Sequence, residues 1–171
     1  ERLKIEKPQI GRILITGCCG SIGSQLVKDL LNDQKFSPKE IIGIDNNESN
    51  IFFQDQSYID DLRVKFYLVD LRDRLAINNI MKSIDIVIHT AALKHVLLCE
   101  RGPHEAVETN IVGIENLIEA AKFNNVFKVI FTSSDKAVNP TNVMGTSKLM
   151  GERLITAANS NQRENSTIFA S

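Results

Sequence analysis

Short runs of aliphatic and β-branched residues alternate along this chain with longer segments of helical periodicity, and no other feature restricts its fold as strongly. The runs typical of buried strands are Arg12–Thr16, Ile41–Asp45, Val64–Val69, Asp85–His89, Lys128–Thr132 and Thr167–Ala170. Strands that alternate with helices pair in parallel through right-handed crossovers, so helices cover both faces of the sheet. The alternation predicts a doubly wound α/β fold with strand order 3-2-1-4-5-6. We expect one domain over residues 1–171.

Apolar residues at helical spacing predict the helices between these strands. Those after the first strand are Ile22, Leu26, Val27, Leu30 and Leu31. One further helix is expected around Asp73–Lys82, another from Pro103 to about Asn124, and a third from Pro140 to about Asn159. The apolar face of the Pro103 helix is predicted to consist of Val107, Ile111, Ile114, Leu117 and Ile118. Core positions are also expected for the methionines Met81, Met144 and Met150.

Composition and charge exclude several functional classes. The net charge is −1, so no nucleic-acid surface is expected. No apolar run is long enough to cross a bilayer. No signal peptide begins at Glu1, so we expect the chain to be part of a longer protein. A membrane segment upstream of Glu1 in that protein stays open. The three cysteines lack metal-ligand spacing, which predicts no metal site and a reducing, cytoplasmic setting.

A glycine-rich loop follows the first predicted strand. It reads Gly17-Cys18-Cys19-Gly20-Ser21-Ile22-Gly23, and an amphipathic helix follows it. Glycines permit a tight turn close to a pyrophosphate, and the N-terminus of the helix attracts the phosphates. A plain glycine-rich turn is the alternative. The position between a strand and a helix favours a Rossmann-type dinucleotide site that includes Cys19, Ser21 and Ile22.

An acidic residue, Asp45, ends the second predicted strand, 22 residues after Gly23. Its carboxylate can accept hydrogen bonds from ribose hydroxyls, and it would repel a 2′-phosphate. The next residues, beginning with Asn46, supply no Arg or Lys, so NAD is favoured over NADP. An aspartate that merely caps the following helix is the alternative.

Residues at the ends of the later strands are expected to complete the cleft, because ligands bind at the carboxyl edge of such a sheet. Those assigned to the cofactor are Asp70, Leu71, Ala91 and Ala92, although each can instead be a cap or a packing residue. The residues that leave the fifth strand at the same edge, beside the nicotinamide, are Ser133, Ser134, Asp135 and Lys136. Lys148 follows Met144 by four residues on one helix face.

Four segments together resemble one known family. They are residues 16–24 (TGCCGSIGS), 89–96 (HTAALKHV), 108–121 (ETNIVGIENLIEAA) and 133–148 (SSDKAVNPTNVMGTSK). They are similar to the extended short-chain dehydrogenase/reductase superfamily and, within it, to UDP-N-acetylglucosamine 4,6-dehydratases of polysaccharide biosynthesis. The resemblance implies the NAD-binding half of an enzyme for UDP-sugars, truncated before its substrate-binding lobe. It also implies a homo-oligomer that pairs through the helices at about 103–124 and 140–159.

The resemblance implies roles for the residues that follow the fifth strand. The superfamily has a Tyr-x-x-x-Lys pair. Lys148 matches the Lys, which binds the nicotinamide ribose, whereas Met144 replaces the Tyr and cannot act as a base. Proton transfer would then fall to Ser134, Asp135 and Lys136, with Lys136 as the base at sugar C5. Asp135 would be the acid at the C6 hydroxyl and would assist at C4; a solvated charge pair is the alternative.

The implied reaction removes water from UDP-N-acetylglucosamine to give a 4-keto-6-deoxy sugar for surface polysaccharides such as capsule or lipopolysaccharide. Hydride leaves C4 for NAD⁺, water is lost across C5 and C6, and hydride returns to C6. By the same resemblance Asn110 shapes the active-site end of its helix, and Lys94, His95 and Ser133 lie near the ligands. A structural role is the alternative for His95 and is expected for His89. Two other functions stay open: a 4-epimerase, which would need the missing Tyr, and a non-catalytic NAD-binding regulator.

Overall fold

The computed structural model describes residues 11–33, 36–160 and 167–171. Within these ranges six strands pair in parallel in the order β3-β2-β1-β4-β5-β6. They are β1 (Arg12–Thr16), β2 (Glu40–Asp45), β3 (Val64–Leu68), β4 (Ile86–His89), β5 (Lys128–Phe131) and β6 (Ile168–Ala170). The predicted doubly wound, Rossmann-type sheet is therefore confirmed, and each strand end lies within one residue of its predicted place.

Helices occupy both faces of the sheet. The α-helices are α1 (Ser21–Asn32), α2 (Glu48–Ser57), α3 (Arg74–Ile80), α4 (Val96–Arg101), α5 (Pro103–Val107), α6 (Gly113–Phe123) and α7 (Val143–Ser160). A π-helical turn, Glu108–Val112, joins α5 to α6, and a 3₁₀ turn, Asp135–Ala137, follows β5. In the described ranges, no helix combines the length and apolar character that a membrane span requires.

Helices α2 and α4 were not predicted, and α7 begins a few residues after Pro140. The side chain of Asn47 caps α2 by accepting a hydrogen bond from the Asn50 N–H, at 3.0 Å. The sequence of this helix has no apolar periodicity that would predict it. Its large apolar residues Phe52 and Phe53 are both exposed. The helix predicted after Pro140 is present as α7, and it begins at Val143 because the Asn142 side chain accepts a hydrogen bond from the Gly145 N–H.

The core consists of two apolar layers, one on each face of the sheet. Successive side chains of a strand point to opposite faces. Accordingly Ile13 and Ile15 of β1 pack with Val27 of α1, whereas Leu14 packs with the layer under α3, α6 and α7. Burial of each such side chain contributes about 1.5–3 kcal/mol. The two layers hold β1 and β4 at the centre of the sheet, where the order of strands reverses.

Three residues that the periodicity assigned to buried faces are exposed. They are Ile22 at 57%, Val107 at 41% and Met150 at 46%. Ile22 belongs to the first turn of α1, which lines a cleft at the edge of the sheet. Val107 is the last residue of α5, just before the π-helical turn, and it does not share the buried face of α6. Ile114, Leu117, Ile118 and Met81 are buried as predicted.

Candidate functional site

The loop between β1 and α1 forms one side of a cleft at the carboxyl edge of the sheet. Gly17 has a φ of +69°, and a Cβ atom there would lie 2.7 Å from the backbone of Ala91. Only glycine lets the loop after β1 pass this close to the loop after β4. The first turn of α1, from Ser21, then provides N–H groups without partners inside the helix, which suit an anionic ligand.

Most of the predicted cofactor residues line the cleft. The predicted residues that line it are Gly17, Gly20, Ser21, Ile22, Gly23, Asp45, Asn46, Asp70, Leu71, Ala91, Ala92 and Lys94. Further lining residues, which were not assigned to the cofactor, are Thr16, Ile44, Val69, Thr90, Leu93 and Thr109. Each of these six residues is adjacent in sequence to a predicted position, Leu93 between Ala92 and Lys94 and Thr109 before Asn110. The other four predicted cofactor residues, Cys19, Asn110, Ser133 and Lys148, lie outside the lining.

Asp45 holds the glycine loop and the start of α2 together. One carboxylate oxygen accepts a hydrogen bond from the Cys19 N–H at 3.2 Å, and the other accepts from the Asn47 N–H at 3.1 Å. Each oxygen keeps a lone pair that can accept a hydrogen bond from a hydroxyl group of a ligand in the cleft. Asn47, rather than Asp45, caps α2, so the alternative of a simple helix cap does not describe Asp45.

On the far side of the cleft, Asp70 is paired with Arg72. The guanidinium contacts the carboxylate at 2.7 Å and also reaches Glu105 at 3.0 Å. The hydrogen bonds from Arg72 lower the pKa of Asp70, so its carboxylate is ionised at neutral pH. The ion pair fixes this wall of the cleft next to Leu71.

Lys148 and His89 both contact the aromatic ring of Phe131. The ammonium group of Lys148 lies 4.6 Å from the ring centroid of Phe131 and donates a hydrogen bond to the Thr132 carbonyl at 2.9 Å. The imidazole of His89 stacks on the same ring at 5.6 Å and contacts the Thr16 hydroxyl through Nδ1 at 2.6 Å. Burial lowers the pKa of Lys148 to about 8 and that of His89 to about 3.

Asn110, in the π-helical turn, ties three elements together. Its side chain accepts a hydrogen bond from the Leu93 N–H at 2.8 Å and donates to the Leu93 carbonyl and to the Ser147 hydroxyl, both at 3.0 Å. It is buried, and π-helical turns inside α-helices are frequent at functional sites. Asn110 therefore positions Leu93 of the cleft against α7, and Ser147 is a partner that the sequence did not suggest.

The segment after β5 places its polar groups at the surface. The Ser134 hydroxyl donates to the Asp135 carboxylate at 2.9 Å, which lowers the pKa of Asp135 and favours its ionised form. Ser133, Asp135 and Lys136 are all exposed. The segment packs against Gly145 of α7. The Lys136 carbonyl oxygen is so near that a Cβ atom at Gly145 would lie 2.2 Å from it. Among the described residues nothing covers the Lys136 side chain, which lies at the surface.

Met144 and His95 lie apart from these polar groups. The Met144 side chain is buried in a small apolar cluster with Cys99 and Ala106. It thus has the core role expected of a methionine, and no proton transfer can involve it. His95 is exposed and occupies the position before α4.

Comparisons with known proteins show the family. The profile described as "Polysaccharide biosynthesis protein" matches residues 13–171. The chain therefore belongs to this family of Rossmann-type, sugar-modifying proteins of the short-chain dehydrogenase/reductase group.

Its curated relatives carry different names. An uncharacterized membrane protein of Methanocaldococcus jannaschii is 45% identical over 158 residues, covering 92% of this chain and 46% of the relative. A UDP-glucose 4-epimerase of Rickettsia bellii is 42% identical over 165 residues, with the same coverage. A UDP-N-acetylglucosamine 4,6-dehydratase (inverting) of Campylobacter jejuni is 39% identical over 158 residues, covering 92% of this chain and 46% of the relative. The chain spans about half the length of these relatives.

Solved structures show the same fold. Pen from Bacillus thuringiensis superimposes with a TM-score of 0.89 at 37% identity, over 94% of this chain and 51% of that one. A mutant UDP-glucuronic acid 4-epimerase from Bacillus cereus, in complex with NAD and a fluorinated UDP-sugar, gives a TM-score of 0.77 at 26% identity. That match covers 88% of this chain and 52% of the epimerase.

We predict that Lys148 makes stability rise with pH in the alkaline range. Its pKa is about 8 in the folded chain against 10.5 for the ordinary side chain, so between these values the unfolded chain binds the extra proton. The free energy of unfolding should increase between about pH 8 and about pH 10 by about 2 kcal/mol more than in Lys148→Met. Denaturant unfolding at both pH values measures this difference.

Lys122→Met is the matched control. Lys122 also lies over an aromatic ring, that of Phe169 at 5.7 Å, but it is exposed. Its replacement should leave the pH dependence unchanged. Equal pH dependence in the Lys148→Met variant and the unmodified chain would contradict the depressed pKa.

Proposed function

We propose that the cleft binds NAD and that the full-length protein is an NAD-dependent lyase, a 4,6-dehydratase of UDP-N-acetylglucosamine. One observation carries the proposal: a dinucleotide-type cleft shares its sheet edge with Asp135, Lys136 and Lys148, while Met144 replaces the tyrosine of the superfamily. The Campylobacter relative named as such a dehydratase supports this choice of reaction. A role in surface polysaccharide synthesis, including capsule or lipopolysaccharide, is part of the proposal.

The residues of the cleft fit the dinucleotide. The glycine loop and the first turn of α1 would hold the pyrophosphate, because they offer backbone N–H groups and the positive end of the helix dipole. Asp45 would accept hydrogen bonds from the adenosine ribose. Ala91 and Ala92 leave room for the cofactor next to the backbone after β4. NAD in the complex of the Bacillus cereus epimerase supports this assignment.

Bound NAD would supply a hydride acceptor for the sugar. The task of Lys148 would be to fix the ribose near that acceptor, since its ammonium group uses one proton on the Thr132 carbonyl and keeps two others. The hydrogen bond of Asn110 to Ser147 holds the helix that carries Lys148 in place.

Proton transfer would use the exposed pair after β5. The ionised Asp135 would take the proton of the C4 hydroxyl, and Ser134 orients its carboxylate. Once protonated, Asp135 is the acid that the departing C6 hydroxyl needs, so its two roles follow one another. Lys136 would remove the C5 proton and return it to C5 at the end. An amine acts as a base only in its neutral form, and burial or a nearby cation favours that form.

A 4-epimerase is the second candidate, because the Rickettsia relative is named UDP-glucose 4-epimerase. Epimerisation acts at C4 alone, so it needs no base at C5 and gives no role to Lys136. The absence of a hydroxyl at Met144 removes the usual C4 base of epimerases. We therefore place the dehydratase first.

Product analysis separates the candidate functions. Incubation of the full-length protein with UDP-N-acetylglucosamine and NAD should give a nucleotide sugar that has lost one water by mass spectrometry. An unchanged mass with an inverted C4 configuration in the NMR spectrum would identify an epimerase instead. An unchanged substrate, together with NAD binding, would identify a non-catalytic regulator.

The cofactor preference should follow from Asp45. Calorimetric titration should show NAD binding at least about tenfold more tightly than NADP, because a clash of like charges at the partly buried Asp45 should cost more than about 1.4 kcal/mol. In Asp45→Ser, which keeps a hydrogen-bond acceptor and removes the charge, the preference should shrink. Tighter binding of NADP to the unmodified protein would contradict the assignment of Asp45.

The proton-transfer roles can be tested by substitution. Asp135→Asn and Lys136→Ala should each lower kcat by about 10²–10⁴-fold, the usual range for general acid–base groups. Both residues are exposed, so neither change should alter the melting temperature. Met144→Leu, which keeps volume in the apolar cluster, is the control and should leave kcat within a few fold. A loss in Met144→Leu as large as that in Lys136→Ala would show that the roles are misplaced.

A further inference from the structure

Three side chains of metal-ligand type converge beside the glycine loop. The Sγ atoms of Cys18 and Cys19 lie 3.9 Å apart. One ligand atom of each cysteine and one carboxylate oxygen of Asp45 all lie within 4.8 Å of one another. The sequence suggested no metal site, because adjacent cysteines lack the usual ligand spacing and Asp45 is far away along the chain. Parallel pairing of β1 with β2 brings the three together.

The separation of the two sulfur atoms matches tetrahedral coordination. Zinc–sulfur bonds of about 2.3 Å at the tetrahedral angle place two sulfur ligands about 3.8 Å apart. Two thiolates and one carboxylate form a donor set that zinc and related borderline-soft ions accept. A water molecule would complete the tetrahedron, so no large rearrangement is needed.

The surrounding structure fixes these ligands. Cys18 is fully buried, and it packs so closely on Gly43 that a Cβ atom there would lie 2.9 Å from the Cys18 Cβ. Asp45 is held by the N–H groups of Cys19 and Asn47. Ligands that are held before binding lose little conformational entropy when the ion arrives.

A groove between α1 and α2 gives the ion a route to Cys19. It is open to solvent, and Cys19, Ser24, Asn50 and Tyr58 contribute to its lining. Lys28 also lines the groove, but its side chain is exposed and can turn away into solvent. Cys19 is therefore reached from this groove, whereas Asp45 lines the dinucleotide cleft.

We propose that Cys18, Cys19 and Asp45 form a binding site for a thiophilic divalent cation of the zinc type, and that this ion competes with the dinucleotide. On binding, the two thiols release their protons to solvent and the ion loses part of its water shell. The competition rests on the proposed function, because Asp45 cannot serve the ion and the ribose hydroxyls together. Metal occupancy would thus switch the cofactor site off.

Cadmium is a suitable probe of the site, because thiolate coordination produces an ultraviolet charge-transfer band. Titration of the chain with Cd²⁺ should give this band at one ion per chain, and Zn²⁺ should displace it. In Cys19→Ser the affinity should fall at least about tenfold, as expected when a metal ligand is lost. Asp45→Asn, which keeps the shape of the side chain, should weaken binding as well.

Cys99→Ser is the matched control, because Cys99 is a buried cysteine in the separate cluster with Met144. It should keep the band and the affinity. Circular dichroism establishes that each variant is folded. Absence of a thiolate band in the unmodified chain, or equal affinity in Cys19→Ser, would overturn the site. So would a loss in Cys99→Ser that equals the loss in Cys19→Ser.

A second titration tests the competition. Saturating NAD should weaken Cd²⁺ binding at least about fivefold, and Cd²⁺ should weaken NAD binding by the same factor, because coupling between two ligands is reciprocal. Equal Cd²⁺ affinity with and without bound NAD would overturn the competition. If calorimetry shows no NAD binding while the Cd²⁺ band is intact, the proposed function fails and the ion site stands.

Discussion

The reversal of strand order between β1 and β4 determines where every functional group of this chain lies. Connections leave these two neighbouring strands in opposite directions, which opens a crevice between the loops that follow them. The two loops still touch, because Gly17 passes against Ala91 and the Thr90 hydroxyl donates to the Thr16 carbonyl at 2.7 Å. The cleft lies beside these contacts, at the same edge of the sheet as the polar residues after β5.

The sequence predicted the sheet and the cleft well, because both depend on local patterns. Each strand is a short aliphatic run, and parallel pairing leaves few ways to order six such runs. Asp45 could be assigned from its place at a strand end after a glycine loop. Its bonds to the Cys19 and Asn47 N–H groups could not, because they depend on how the loop turns.

The features that sequence reasoning missed arise from tertiary contacts or from weak periodicity. Helix α2 exposes Phe52 and Phe53, so it has no apolar face to detect. The π-helical turn lies inside a continuous helical pattern, and only the three-dimensional path of the chain shows that it brings Thr109 to the cleft. The stack of His89, Phe131 and Lys148 joins two strands and a helix that are far apart in sequence.

The contact between Gly145 and the Lys136 carbonyl limits which residues the start of α7 can carry. No side chain fits at position 145, and the neighbouring Met144 fills a closed apolar cluster with Cys99 and Ala106. A tyrosine at 144 would have to insert a larger, hydroxyl-bearing ring into that cluster, and the next position offers no substitute. Such a residue would therefore need compensating changes in α4 and α5, because Cys99 and Ala106 of these helices close the cluster.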